Sequence, residues 1–239
     1  MLEKNQSQEK LAKNVSDRKS TKNKNFAKQL LSWFATNGRD LPWRKKVGPY
    51  KILVVEKLLQ QTDVAHVMKV YNDFFKKYPT LSALDNATKS EIEKTIKPLG
   101  FWRIRSRDFK LMAKQLLVKH VGKVPSDKKK LLKLSGVGQY IANAVRCFGF
   151  GKQEAVVDVN VRRIAKRIFF WTSDLPNDAE LAKFMKDIIP AKKAKQFNWA
   201  LLDFASAVCT RKPHCEKCFA NEFCEYFQAI NENNFSKNS

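Results

Sequence analysis

The sequence predicts an all-α protein built as two helical lobes, and three observations lead there. Apolar residues recur at helical spacing along nearly the whole chain. Glycines and prolines punctuate that pattern at short intervals, from Pro49 through Pro79, Pro98, Gly100, Gly122, Pro125 and Gly136 to Pro190. No stretch alternates with period two for long enough to make a sheet.

In chain order, residues 1–25 are Lys, Asn, Ser, Gln and Glu with almost nothing to bury, which predicts a disordered basic arm. Phe26, Leu30, Trp33 and Phe34 then mark a first amphipathic helix, ended by Asn37-Gly38. Further helices are predicted over 52–61, 64–77, 89–97, 105–119, 128–134, 140–148, 159–169, 179–188 and 194–206, with a polar tail over 228–239. The domain reading places 26–46, an N-terminal helix, with a C-terminal lobe over 156–227. A helical barrel occupies 47–155.

Composition narrows the function. Forty-six Lys and Arg stand against 23 Asp and Glu, a net charge of +23, too basic for a neutral metabolic enzyme. Such a chain suits a polyanionic partner, because each cation that neutralises a phosphate releases condensed counterions. At 44% hydrophobic it can bury a core, so wholesale disorder is excluded. No apolar run approaches the ~18 residues of a membrane span and no signal core opens the chain, so a soluble intracellular (cytoplasmic) protein is expected. Four of the five cysteines, Cys209, Cys215, Cys218 and Cys224, crowd into one short segment. This spacing fits a metal or cluster site better than a disulfide scaffold, with [4Fe–4S] and tetrahedral zinc both open. Cys147 stands alone and reads as a buried core residue.

The sharpest local motif is Leu134-Ser135-Gly136-Val137-Gly138-Gln139-Tyr140. Two amphipathic helices meet at a glycine hairpin whose backbone can approach a ligand closely. The amides of Gly136, Val137, Gly138 and Gln139 are then candidates for a DNA phosphate, a contact blind to sequence. Twenty residues past Gly138 lies Asp158, placed to cap a helix beginning at Val159.

This set resembles a helix-hairpin-helix DNA glycosylase of the endonuclease III superfamily, over about residues 26–227. The resemblance implies a six-helix barrel carrying the hairpin and a lobe carrying a [4Fe–4S] cluster on the four cysteines, flanking a catalytic cleft with Asp158 where the lobes meet. The usual family spacing has six residues between the first two cysteines, and here there are five. Asp158 would stabilise the sugar cation formed as an N-glycosidic bond breaks, or activate a water. Bifunctional members carry a lysine where this chain has Tyr140. No imine can form from that position, which implies a monofunctional enzyme.

Leu41-Pro42-Trp43-Arg44 and Glu56-Lys57-Leu58-Leu59-Gln60-Gln61-Thr62 resemble the MutY and mismatch thymine glycosylase branch. There Glu56 would hydrogen-bond or protonate the departing base, and Gln60 and Gln61 would enter the stack as the target is extruded. In Leu99-Gly100-Phe101-Trp102-Arg103-Ile104-Arg105, the resemblance suggests a loop with Trp102 stacking and Arg105 on phosphate. The expected partner is double-stranded DNA with a mismatched or damaged base, bound by a monomer. Tyr140 and the Phe197–Phe204 segment favour thymine or uracil opposite guanine, as does a chain end fifteen residues past Cys224 where MutY proteins continue. Gln60-Gln61-Thr62 favours the alternative, adenine opposite oxidised guanine. A non-catalytic DNA-binding module is the remaining alternative, and it would be expected to have lost Asp158 or Glu56.

Overall fold

The computed structural model describes residues 2–235, with side chains described over 20–232. Among the described residues there are twelve α-helices and no strand. None of these helices is long and apolar enough to cross a membrane. Two compact units divide the chain: Met1–Arg39 with Ala155–Ser239, and Asp40–Glu154.

The contiguous unit is organised around α2 (Pro49–Leu58). Every residue from Ile52 to Leu58 in it is buried, Glu56 and Lys57 included, as expected of a helix enclosed on all sides. Around it lie α3 (Val64–Lys77), α4 (Leu81–Asn86), α5 (Lys89–Ile96), α6 (Trp102–His120), α7 (Lys128–Leu132) and α8 (Gln139–Ala144). A single π-helical turn, Val145–Gly149, continues α8 and packs with it against α2. Helix starts follow the sequence closely. Asp63, Thr80 and Asp127 each accept a bond from a backbone amide of the helix that follows, and Thr88 with Glu91 forms a capping box. The core is aromatic, with Phe74 stacked near Phe109 (5.4 Å) and Trp43 near Tyr71 (5.5 Å). The short α4 was not foreseen, because six residues show too little periodicity.

The other unit joins α1 (Leu2–Asn37) to α9 (Val159–Phe169), α10 (Asp178–Asp187), α11 (Ala194–Ala207) and α12 (Glu225–Phe235). Helix α1 packs along α11, with Phe26 edge-on to Phe169 at 5.2 Å and Trp33 edge-on to Phe204 at 5.6 Å. At its end Arg39 clamps the fully buried Asp203 through its guanidinium (2.6 Å) and its backbone amide (2.9 Å).

Helix extends into both segments expected to be disordered. The helix begins at Leu2 rather than near Phe26, and no Gly or Pro interrupts residues 2–37 to stop it. The tail expected from residue 228 is helical as far as Phe235, because α12 is anchored by its first residues. Glu225 pairs with Lys22 at 2.9 Å and accepts from the Trp171 amide, and Tyr226 packs on Trp171. Residue 1 and residues 236–239 lie outside the described part.

Candidate active site

The hairpin residues belong to the unit Asp40–Glu154. Leu131, Leu134 and Val137 are buried and anchor the turn between α7 and α8. The Val137 amide donates to the Leu134 carbonyl at 3.1 Å. Val137 is therefore corrected from a DNA contact to an anchor, its side chain and its amide both being used internally. Gly136, Gly138 and Gln139 are exposed, and Tyr140 is half-buried in the first turn of α8.

The two glycines do different work. Gly136 has φ +68°, and a Cβ there would lie 2.2 Å from Nζ of Lys57 and 2.7 Å from Oδ2 of Asp108. Gly138 has φ −95°, and a Cβ there would meet nothing within 4 Å. The fold demands glycine only at Gly136, whereas Gly138 leaves the backbone open towards solvent.

Side chains from α2 and α6 hold the hairpin from beneath. Lys57 donates to the Ser135 carbonyl (3.0 Å), Gln115 accepts from the Ser135 amide (2.8 Å), and the Ser135 hydroxyl donates to Asp108 (3.2 Å). Burial pulls the Lys57 ammonium down to about 8, with Asp108 drawing it back up and Arg105 pushing it further down. Glu56, its neighbour in α2, is 4% exposed.

After α2 the chain turns through Gln60 and Gln61, both exposed, with Gln61 at φ +50°. A second turn, Gly100-Phe101, precedes α6, and Phe101 is 63% exposed. Here two expectations change. The projecting aromatic is Phe101, while Trp102 is half-buried under the Arg103 guanidinium at 4.2 Å. Arg105, expected on phosphate, is buried, and its donors go to backbone carbonyls of Lys57, Leu58, Gln60 and Gly100 and to the Thr62 hydroxyl. Sequence gave no sign of this, because its acceptors lie more than 40 residues away apart from Gly100.

Asp158 belongs to the other unit. It caps α9, its Oδ1 accepting from the amides of Asn160 (2.9 Å) and Val161 (2.8 Å) and its Oδ2 from the Asn160 side-chain amide (2.8 Å). Three N–H donors thus fix the carboxylate, which remains half-exposed. The extended segment before it is pinned by Asn198, whose Oδ1 accepts from the Val156 amide at 2.8 Å. From Asn160 the network continues: its Oδ1 accepts from Arg163 (2.9 Å), which also donates to the carbonyls of Cys209 (3.0 Å) and Ala205 (3.1 Å).

In that same unit Cys209, Cys215, Cys218 and Cys224 line one cavity together with Arg167, His214 and Tyr226. None is in a disulfide, and they act on one another electrostatically. Burial pushes the Cys218 thiol up to about 12, with the other three adding to it, and raises Cys215 and Cys224 as well. Donors face the sulfurs: Arg167 to Cys209 and the Ala220 amide to Cys218, both at 3.4 Å. Among the described residues no three His, Cys, Asp or Glu side chains are close enough together to hold one single metal ion. The His214 ring points largely to solvent beside Glu216, at 3.7 Å.

Comparison with known proteins agrees with this geometry. A family model described as HhH-GPD superfamily base excision DNA repair protein matches residues 54–191. A thymine/uracil-DNA glycosylase of Methanothermobacter thermautotrophicus is 37% identical over 217 residues, 90% of this chain and 98% of that protein. An adenine DNA glycosylase of Mycobacterium tuberculosis is 36% identical over 196 residues, covering 79% of this chain and 64% of its own length. A solved thermostable thymine-DNA glycosylase superposes with a TM-score of 0.84 at 37% identity, over 88% of this chain and 99% of that one. Hairpin, capped aspartate and relatives together lead to one conclusion: the chain belongs to the HhH-GPD superfamily of base excision DNA repair proteins.

Proposed function

We propose that the chain is a monofunctional mismatch DNA glycosylase that hydrolyses the N-glycosidic bond of thymine or uracil opposite guanine. The observation that carries the reaction is the fixed carboxylate of Asp158, with three N–H donors holding it ready to face a developing cation. As the bond between the sugar C1′ and the base nitrogen breaks, its electron pair leaves with the base. Asp158 stabilises the oxocarbenium ion until water adds at C1′ and gives up a proton, which neutralises the departed base anion. Glu56 hydrogen-bonds the departing base, and the half-buried Tyr140 flanks the extruded nucleotide. Tyr140 stands where an amine would be needed for backbone cleavage, so the reaction stops at the abasic site.

The choice of base rests on the thymine/uracil-DNA glycosylase matched over 98% of its length. DNA is held through its backbone by the exposed Gly136, Gly138 and Gln139, assisted by the net charge of +23. The four cysteines fit a thiolate-bound [4Fe–4S] group: none is in a disulfide, they share one cavity, and they are faced by an arginine and a backbone amide that compensate negative sulfur. Such a group would tie together the loop from Cys209 to Cys224. This chain's own residues supply the rest, Arg167 holding the carbonyls of Thr210 (2.6 Å) and Arg211 (2.9 Å).

Incubation with G·T and G·U duplexes followed by alkali tests the reaction. Strand cleavage at the mismatch only after alkali, and its loss in Asp158→Asn, is the expected result. Undiminished cleavage by Asp158→Asn would remove Asp158 from its role.

A further inference from the structure

The two exposed turns of the unit Asp40–Glu154 share an unusual backbone. Gln61 (φ +50°), Gly100 (φ +72°) and Phe101 (φ +48°) all lie in the left-handed region. Non-glycine residues persist there only where their surroundings hold them. The side chain of Arg105 reaches both turns. Arg105, 7% exposed, donates from Nε to the Gly100 carbonyl (3.1 Å) and from Nη1 to the carbonyls of Lys57 (2.6 Å) and Leu58 (3.3 Å). Its Nη2 donates to the Gln60 carbonyl and to the Thr62 hydroxyl (2.8 Å). Thr62 completes the clasp, its hydroxyl donating to the Leu99 carbonyl at 3.1 Å. Only a guanidinium has enough donors in one rigid plane for this set, and an ammonium at the end of a lysine does not.

What the clasp holds is a pair of projecting tips: Gln60 and Gln61 on one turn, and Phe101 with the 53%-exposed Ile104 beside it on the other. Extruding a nucleotide requires that unstacking be stabilised at the moment it occurs, and two tips inserted at a fixed separation do this better than two that move independently.

We propose that Arg105, with Thr62, is a positioning residue for nucleotide extrusion, fixing the Gln60-Gln61 turn and the Gly100-Phe101 turn as one rigid unit. This rests on the base-excision reading above. It makes Arg105 act through other residues, without touching DNA.

The test uses the full chain, with Arg105→Lys and Thr62→Val, on uracil paired with guanine and on the same uracil in an unpaired bulge, with 2-aminopurine beside it. Thr62→Val removes one link without emptying a buried charge site, and thermal unfolding checks that both variants fold. The expected result is a loss of about 10- to 100-fold in single-turnover excision from the paired duplex, with little change on the bulge. The rise in 2-aminopurine fluorescence on binding the paired duplex should fall in parallel, at retained duplex affinity. Wild-type rates and fluorescence in both variants would overturn the proposal. So would equal losses on paired and bulged uracil, which would make the clasp a general fold element. A wild-type chain that excises neither uracil would refute the glycosylase reading instead, and the fluorescence rise, which needs no chemistry, still decides the clasp.

Discussion

The side-chain amide of Asn160 donates to Oδ2 of Asp158 at 2.8 Å, while the two backbone amides that cap α9 both go to Oδ1. The two carboxylate oxygens are thus held by separable means. Asn160 is itself oriented by Arg163, which grips the Cys209 carbonyl, so one hydrogen-bonded path joins the aspartate to the first cysteine.

Asn160→Ala should therefore leave the helix cap in place and free only Oδ2. A hydrogen bond to a charged group is worth about 1.5–3 kcal/mol, so single-turnover base release should slow by about 10- to 100-fold with helix content unchanged. Unchanged release would show that the orientation of Oδ2 is immaterial.

Gly136 and Gly138 should respond oppositely. Gly136→Ala forces a left-handed alanine into the space of Lys57 and Asp108, and strain alone costs about 1–2 kcal/mol. A large drop in denaturant midpoint is expected. Gly138→Ala meets no atom within 4 Å, so it should unfold like the parent yet bind all duplexes more weakly. Equal stability of the two variants would contradict the division of roles.

Lys57 gives the hairpin a pH signature. Its ammonium falls from 10.5 to about 8 on folding, chiefly through burial, which corresponds to about 3 kcal/mol of destabilisation while it is charged. Between pH 8 and 10.5 the unfolded chain holds this proton and the folded chain does not. Stability should therefore rise across that window relative to Lys57→Met, as measured by urea unfolding of both proteins at each pH. A flat difference would contradict the burial of a titrating amine.

Much of this was legible in the chain itself. The helix cap at Asp158 is local in sequence, whereas its distance from the hairpin carries meaning only through the family resemblance, and the cysteine spacing needs no tertiary information. Helix starts were legible for the same reason, since Asp63, Thr88 and Asp127 act within three residues. What could not be read depends on partners distant along the chain. Arg105 sits in a string of arginines that suggests phosphate contact, and only its carbonyl acceptors more than 40 residues upstream reveal burial. Lys57 looks like the polar interruption of an apolar helix, yet it supports a turn 78 residues away.

Cys215→Ser and Cys218→Ser test the proposed [4Fe–4S] group. The purified parent should absorb as an iron–sulfur protein and contain iron without zinc, and both variants should lose that absorption together with the ordering of the Cys209–Cys224 loop, read by limited proteolysis. A colourless zinc-containing parent with full activity would overturn it.

The base is the point at which the functional reading is most exposed. Single-turnover release should be compared on one duplex sequence carrying G·T, G·U, A·G and adenine opposite 8-oxoguanine, with Asp158→Asn as the control for the chemistry. On the proposed function, thymine and uracil opposite guanine should leave faster than adenine in either context. Release of adenine opposite 8-oxoguanine, with G·T and G·U untouched, would contradict the thymine/uracil reading and make the chain an adenine glycosylase.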